Sequence, residues 1–81
     1  MERKEIFDEV VKICRETFEN DEPEITESTS AKDIRKWDSL FHVILINAVE
    51  QHFDVKFDLD DMLEMTTVGK ICDAVYLKLN S

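Results

Sequence analysis

Apolar side chains recur every three or four residues at the start of the chain, at Ile6, Phe7, Val10, Val11, Cys14 and Phe18, while Glu5, Asp8, Glu9, Lys12, Arg15, Glu16 and Glu19 take the opposite side. This period predicts an amphipathic helix over residues 3–19. It stops at Asn20-Asp21-Glu22-Pro23, polar residues followed by a proline that cannot extend the hydrogen-bond ladder. From Glu24 to Asp38 no period is sustained, which predicts a loop. Connections longer than roughly 12–15 residues in a small domain are usually either functional or disordered. Ile25, Ile34 and Trp37 argue against disorder, because each is large and apolar enough to cover the open side of a small bundle.

A second helix is predicted over 39–52, with His42, Leu45, Ile46, Val49 and Phe53 on one stripe facing the core. Leu40, Phe41, Val43 and Ile44 fall partly outside that stripe. The helix is therefore apolar almost all round near its start, a pattern that serves either deep burial or an exposed contact surface. Phe53, Val55 and Phe57 then alternate with Asp54, Lys56 and Asp58 in a short extended link. Asp58 or Asp60 is placed to cap a minor helix through Met62 and Leu63, and Thr66-Thr67 to cap a last one. That helix carries Val68, Ile71, Cys72, Val75, Tyr76 and Leu79 on one face, with Gly69 in its first turn. The pattern predicts an all-α fold: three main helices plus one short helix, with a long loop between helices one and two, in a single domain over 1–81.

Composition narrows the partners. One Gly and one Pro among 81 residues suit helices, and a chain of this length buries only a thin core. Nineteen acids against ten bases give a formal charge of −9, which repels nucleic acid and anionic lipid and favours basic partners. No apolar stretch approaches the roughly 20 residues that span a bilayer, and Met1-Glu2-Arg3-Lys4-Glu5 lacks the apolar core of a signal peptide, so a cytoplasmic monomer is expected. Lys32, Arg35 and Lys36 make the long loop the one locally basic stretch. Cys14 and Cys72 fall on apolar helix faces and read as small buried hydrophobes, with a disulfide as the alternative.

The residue best placed for chemistry is Ser39, in Trp37-Asp38-Ser39-Leu40 at the mouth of the second helix. A helix start offers unpaired N–H groups and the positive end of the dipole, so a phosphate esterified to that hydroxyl would be stabilised. An ordinary N-cap role for Ser39, or for Asp38, is the plain alternative. No Ser, His and acid constellation of the hydrolase kind can be assembled, so no catalytic residue is assigned. Asp58-Leu59-Asp60-Asp61 fails as a calcium loop for want of the central glycine and the acid at the twelfth place, and no metal site is expected.

Asp38-Ser39-Leu40, the apolar ladder behind it, the link Phe53-Asp54-Val55-Lys56-Phe57 and the Met65-Thr66-Thr67-Val68 approach to the last helix together resemble the acyl carrier protein family over nearly the whole chain. The resemblance implies a carrier rather than an enzyme. It implies that a phosphopantetheinyl transferase moves a 4'-phosphopantetheine arm from coenzyme A onto Ser39, and that the arm's thiol holds an acyl or aminoacyl group as a thioester for loading and downstream enzymes. Asp38 would help the transferase recognise the serine, and Leu40 and Val43 take positions that form an exposed apolar patch in the family.

The chain also departs from the fatty-acid carriers it resembles. Phe41 and Ile44 stand where those carriers place acids, Gln51 and His52 replace two more, and Glu50 is the acid left in the second helix. Leu40, Phe41, Val43 and Ile44 would then supply an apolar contact in place of an electrostatic one. Asp54, Asp58, Asp60, Asp61 and Glu64 gather instead around the short helix, either as a solvated face or to steer a basic partner. The shift suggests a dedicated pathway, with polyketide or nonribosomal peptide biosynthesis beside fatty acid biosynthesis as settings. Trp37 either packs the loop onto the bundle or touches the arm, and His42, one turn below Ser39, either lines the arm's path or bonds a carbonyl. The rival to a carrier is an unmodified helical interaction domain that docks through the apolar start of helix two.

Overall fold

The computed structural model describes residues 1–19 and 24–80. Four helices follow in chain order among them: α1 (Arg3–Phe18), α2 (Ser39–Phe53), α3 (Leu59–Glu64) and α4 (Val68–Leu79). The expected stop at Asn20-Asp21-Glu22-Pro23 lies outside the described residues; what ends α1 within them is Glu19, in the left-handed region with φ 46°, whose amide donates to the Arg15 carbonyl. Asp54 ends α2 in the same way, with φ 55° and its amide on the Glu50 carbonyl. Left-handed backbone is uncommon outside glycine, and a single residue in that region closes the last helical turn.

α1 packs on both α2 and α4. The shared core joins Ile6, Val10, Cys14 and Phe18 to Leu45, Ile46 and Val49 and to Val68, Ile71, Cys72 and Val75. Ile25, Ile34 and Trp37 from the loop and Met65 from the α3–α4 joint are buried with them. The loop thus covers the side that α1, α2 and α4 leave open, as its three apolar residues predict. The expected faces shift in detail. Ile13 is buried, Phe7 and Val11 are half-buried, and Tyr76 and Leu79 are 40% and 37% exposed. Tyr76 lies beside Met1–Glu5, where α1 begins, so the last turn of α4 runs past its neighbour.

The loop is pinned to α4 by backbone. The Val68 amide donates to the Thr29 carbonyl at 2.9 Å and the Gly69 amide to the Glu27 carbonyl at 2.8 Å. Thr29 is buried, and its hydroxyl accepts from the Thr26 amide at 2.8 Å. Arg3 closes the arrangement: its guanidinium makes a two-point pair with the Glu27 carboxylate at 2.7 and 3.1 Å, and reaches Asp73 at 3.0 Å and the Gly69 carbonyl at 3.2 Å. The bond to Glu27 raises the Arg3 pKa above its ordinary value. Such exposed ion pairs are worth little each, so the backbone bonds and buried side chains set the position. A β-carbon on Gly69 would lie 2.8 Å from the Glu27 carbonyl oxygen, closer than such contacts allow. In a helix, Gly→Ala ordinarily gains about 1 kcal/mol. Here overpacking at about 1–3 kcal/mol outweighs it. Gly69→Ala is therefore expected to lower the urea midpoint at unchanged slope, a result read from equilibrium unfolding.

Both cysteines are free and buried, with no disulfide between them. Burial pushes the pKa of each thiol up to about 12 from its ordinary value of 9.0. A folded-state pKa above the unfolded one stabilises the fold below the unfolded value, and that contribution is lost as pH rises through the folded one. Thermal stability is expected to fall progressively above pH 9.0. Iodoacetamide is expected to label neither thiol in the native protein at neutral pH and both in urea, as counted by mass.

Candidate functional site

Asp38 is the N-cap of α2: its backbone is extended and its carboxylate accepts from the Phe41 amide at 2.9 Å. Ser39 is thereby the first helical residue, and the capping role left open between the two falls to Asp38. The loop delivers them through tight turns. The Trp37 amide donates to the Ile34 carbonyl at 3.0 Å, and the Asp38 amide to the Lys36 carbonyl at 2.9 Å. Ser39 is exposed, and among the described residues nothing hydrogen-bonds its hydroxyl. Nor, among those residues, do the amides of Ser39 and Leu40 have a partner. The site thus combines a free hydroxyl, two free donors and the positive end of a 15-residue helix, which suits a phosphate ester at Oγ.

An open cleft of about 500 Å³ runs from Ser39 towards α3. Trp37, His42 and Val43 line one side, and Leu59, Met62 and Leu63 the other. Leu59 and Leu63 are 69% and 67% exposed. Neither leucine stands out as a site residue in the sequence, although their four-residue spacing on a short helix with no buried residue is the signal that points to them. The cleft's apolar lining beside free donors fits the group that the Ser39 motif implies: a phosphate at the helix start, with an arm lying along the groove.

Leu40, Val43 and Ile44 are exposed, Leu40 most at 67%. Phe41 separates from them: it is half-buried against the core, its ring 6.1 Å from that of Phe18. Trp37 is 4% exposed, its ring tilted against that of Phe18 at 5.5 Å, so it packs the loop down while its edge borders the cleft. His42 does not point freely into the cleft. Its Nδ1 accepts from Trp37 Nε1 at 3.0 Å, and its Nε2 lies 3.0 Å from the Met62 carbonyl. Glu50, the acid of α2, accepts from the Phe57 amide at 2.8 Å and so holds the link that follows the helix. The acids around α3 also serve the fold, since Asp58 caps that helix through the Asp61 amide at 2.8 Å, and Lys78 reaches Asp61 at 3.9 Å.

An exposed serine at a helix start beside an apolar cleft, on a four-helix scaffold with a pinned loop, suits covalent attachment of a phosphate-linked arm. Residues 8–75 match the family described as phosphopantetheine attachment site. The chain is 38% identical over 77 residues to the acyl carrier protein of Thermotoga maritima, covering 95% of each. It is 33% identical over 75 residues to that of Coprothermobacter proteolyticus, covering 93% of this chain and 92% of the relative. Its fold is similar to the solution structure of a holo acyl carrier protein from Geobacter metallireducens, with a TM-score of 0.83, 39% identity, and coverage of 91% of this chain and 85% of that one. The chain therefore belongs to the acyl carrier protein family. Its members are carriers and not enzymes, their prosthetic group is 4'-phosphopantetheine, and they meet a phosphopantetheinyl transferase and acyl-handling enzymes. No helix among the described residues is long and apolar enough to cross a membrane.

The cap is open to a direct check. Asp38→Ala removes the acceptor for the Phe41 amide and is expected to cost about 1 kcal/mol in urea unfolding, with faster amide exchange confined to the first turn of α2.

Proposed function

We propose that Ser39 carries the phosphopantetheine arm, and that residues 1–81 act as a single carrier domain presenting an acyl or aminoacyl group in a dedicated cytoplasmic biosynthetic pathway. The observation that carries this reading is the exposed, unbonded Ser39 hydroxyl at the first position of α2. When bound, the arm supplies a thiol on which a carboxylic acid is held as a thioester. The protein's own residues do the rest. Asp38 holds the first turn in place by capping Phe41, so the hydroxyl is presented at a fixed angle. The free Ser39 and Leu40 amides and the helix dipole balance the negative charge of the phosphodiester. Leu59 and Leu63 give the arm an apolar wall, which keeps a flexible tether close to the protein surface.

Partner choice follows from what α2 exposes. Leu40, Val43 and Ile44 lie beside Ser39 without an acid among them, and Glu50 is engaged by the Phe57 amide. Docking on this face is apolar, with desolvation and shape in place of ion pairing. Departure from the acid-bearing pattern of fatty-acid carriers supports a pathway with its own dedicated enzymes.

Incubation with coenzyme A, magnesium and a broad-specificity phosphopantetheinyl transferase is expected to add one phosphopantetheine to the intact mass, and Ser39→Ala to abolish the gain while keeping the helical circular dichroism. No gain with several such transferases would overturn the proposal in favour of an unmodified interaction domain docking through α2.

A further inference from the structure

Helix α3 forms one wall of the cleft beside Ser39, yet none of its residues is buried. Six residues are also fewer than an isolated helix needs to persist, so its place depends on tethers. Its capping box, Asp58 with Asp61, shapes the helix; Lys78 of α4 reaches Asp61 at 3.9 Å, and Met62 packs partly buried against the core. On the side facing α2, the tether is His42. Indole Nε1 only donates, so the 3.0 Å contact from Trp37 makes His42 Nδ1 an acceptor. A carbonyl only accepts, so the 3.0 Å contact with Met62 places the ring's single hydrogen on Nε2. Both neighbours act in one direction, and together they select one tautomer of a neutral imidazole. The Met62 carbonyl also accepts from the Met65 amide at 3.3 Å, a donor shared with the Asp61 carbonyl, so His42 adds a second donor at the end of α3.

We propose that His42 is a positioning residue: the relay from Trp37 through its imidazole to Met62 fixes the spacing between the loop, the start of α2 and α3, and so holds open the cleft in which an arm on Ser39 lies. This rests on the Ser39 reading for its purpose, though the relay itself is a property of the unmodified chain. Neither ring nitrogen is left to meet the arm. Gln at this position keeps an acceptor and a donor on one planar group, whereas Ala keeps neither.

The test uses the full chain, labelled with ¹⁵N and without coenzyme A. Long-range ¹H–¹⁵N correlation is expected to show His42 as the Nε2–H tautomer. Backbone order parameters of residues 59–64 are expected near 0.85 in the parent chain and in His42→Gln, and below about 0.6 in His42→Ala, with α1 and α4 unchanged. Trp37→Phe keeps the packing ring and removes the donor, and is expected to lose the single tautomer; this arm decides the matter if His42→Ala fails to fold. With the transferase, His42→Ala is expected to raise KM about threefold or more at constant kcat, because the Asp38 cap and the serine are untouched, and Gln to restore it. An Nδ1–H tautomer, or an α3 as rigid in His42→Ala as in the parent, overturns the proposal. Absence of modification in every variant counts against the Ser39 reading alone, since the spectroscopic arms stand without it.

Discussion

Burial of Trp37 is the constraint on which the rest of the site depends. Its indole sits against Phe18 at the end of α1 and, through its N–H, on His42 in the first turns of α2. A large aromatic removes 150–250 Å² from water and orients whatever chain it belongs to. Here that chain is the two-residue step into Ser39. With the indole seated, the turns at Ile34 and Lys36 have one place to go, Asp38 arrives extended at the N-cap, and the serine that follows it points outward.

The same anchoring explains the division of labour along α2. One side of the helix must meet α1, which accounts for Leu45, Ile46, Val49 and Phe53. A second side turns towards the indole and α3, which accounts for His42. What remains is Leu40, Val43 and Ile44, apolar and uncovered. The helix is therefore nearly apolar all round because it serves three surfaces with different partners. Charge is displaced to the joints, where Glu50, Asp54, Asp58 and Asp61 cap, close or brace the backbone. The exposed face of α2 beside Ser39 is thus apolar, with the acids engaged elsewhere.

Much of this was legible in the residues. Helical periods located α1, α2 and α4 to within a residue or so, because each buries one stripe, and turn and cap chemistry located α3. The apolar trio Ile25, Ile34 and Trp37 marked the loop as packed. What the periods did not reveal were contacts made by backbone or by geometry across elements. In the sequence Gly69 is marked only by its place in the first turn of the last helix, yet it is a point of close approach to Glu27. Glu19 and Asp54 gave no signal of left-handed backbone, since neither is glycine. The cleft was invisible because Leu59 and Leu63 acquire meaning only when α3 is set opposite Ser39. The place of His42 one turn below Ser39 is legible in the sequence, but the direction of its two bonds depends on the positions of Trp37 and Met62.

The ties between the loop and α4 alter what that loop is in polymer terms. The entropic penalty of closing a flexible segment grows with its length, so fixing interior points divides one costly closure into several smaller ones. Glu27 and Thr29 are held by the start of α4, Ile34 by the core, and Trp37 by α1 and α2. No free stretch between those points exceeds a few residues. Although it lacks regular structure, the segment from Ile25 to Trp37 therefore behaves mechanically as a strut joining α4 to α2, and force applied at either helix is transmitted to the residue before the site.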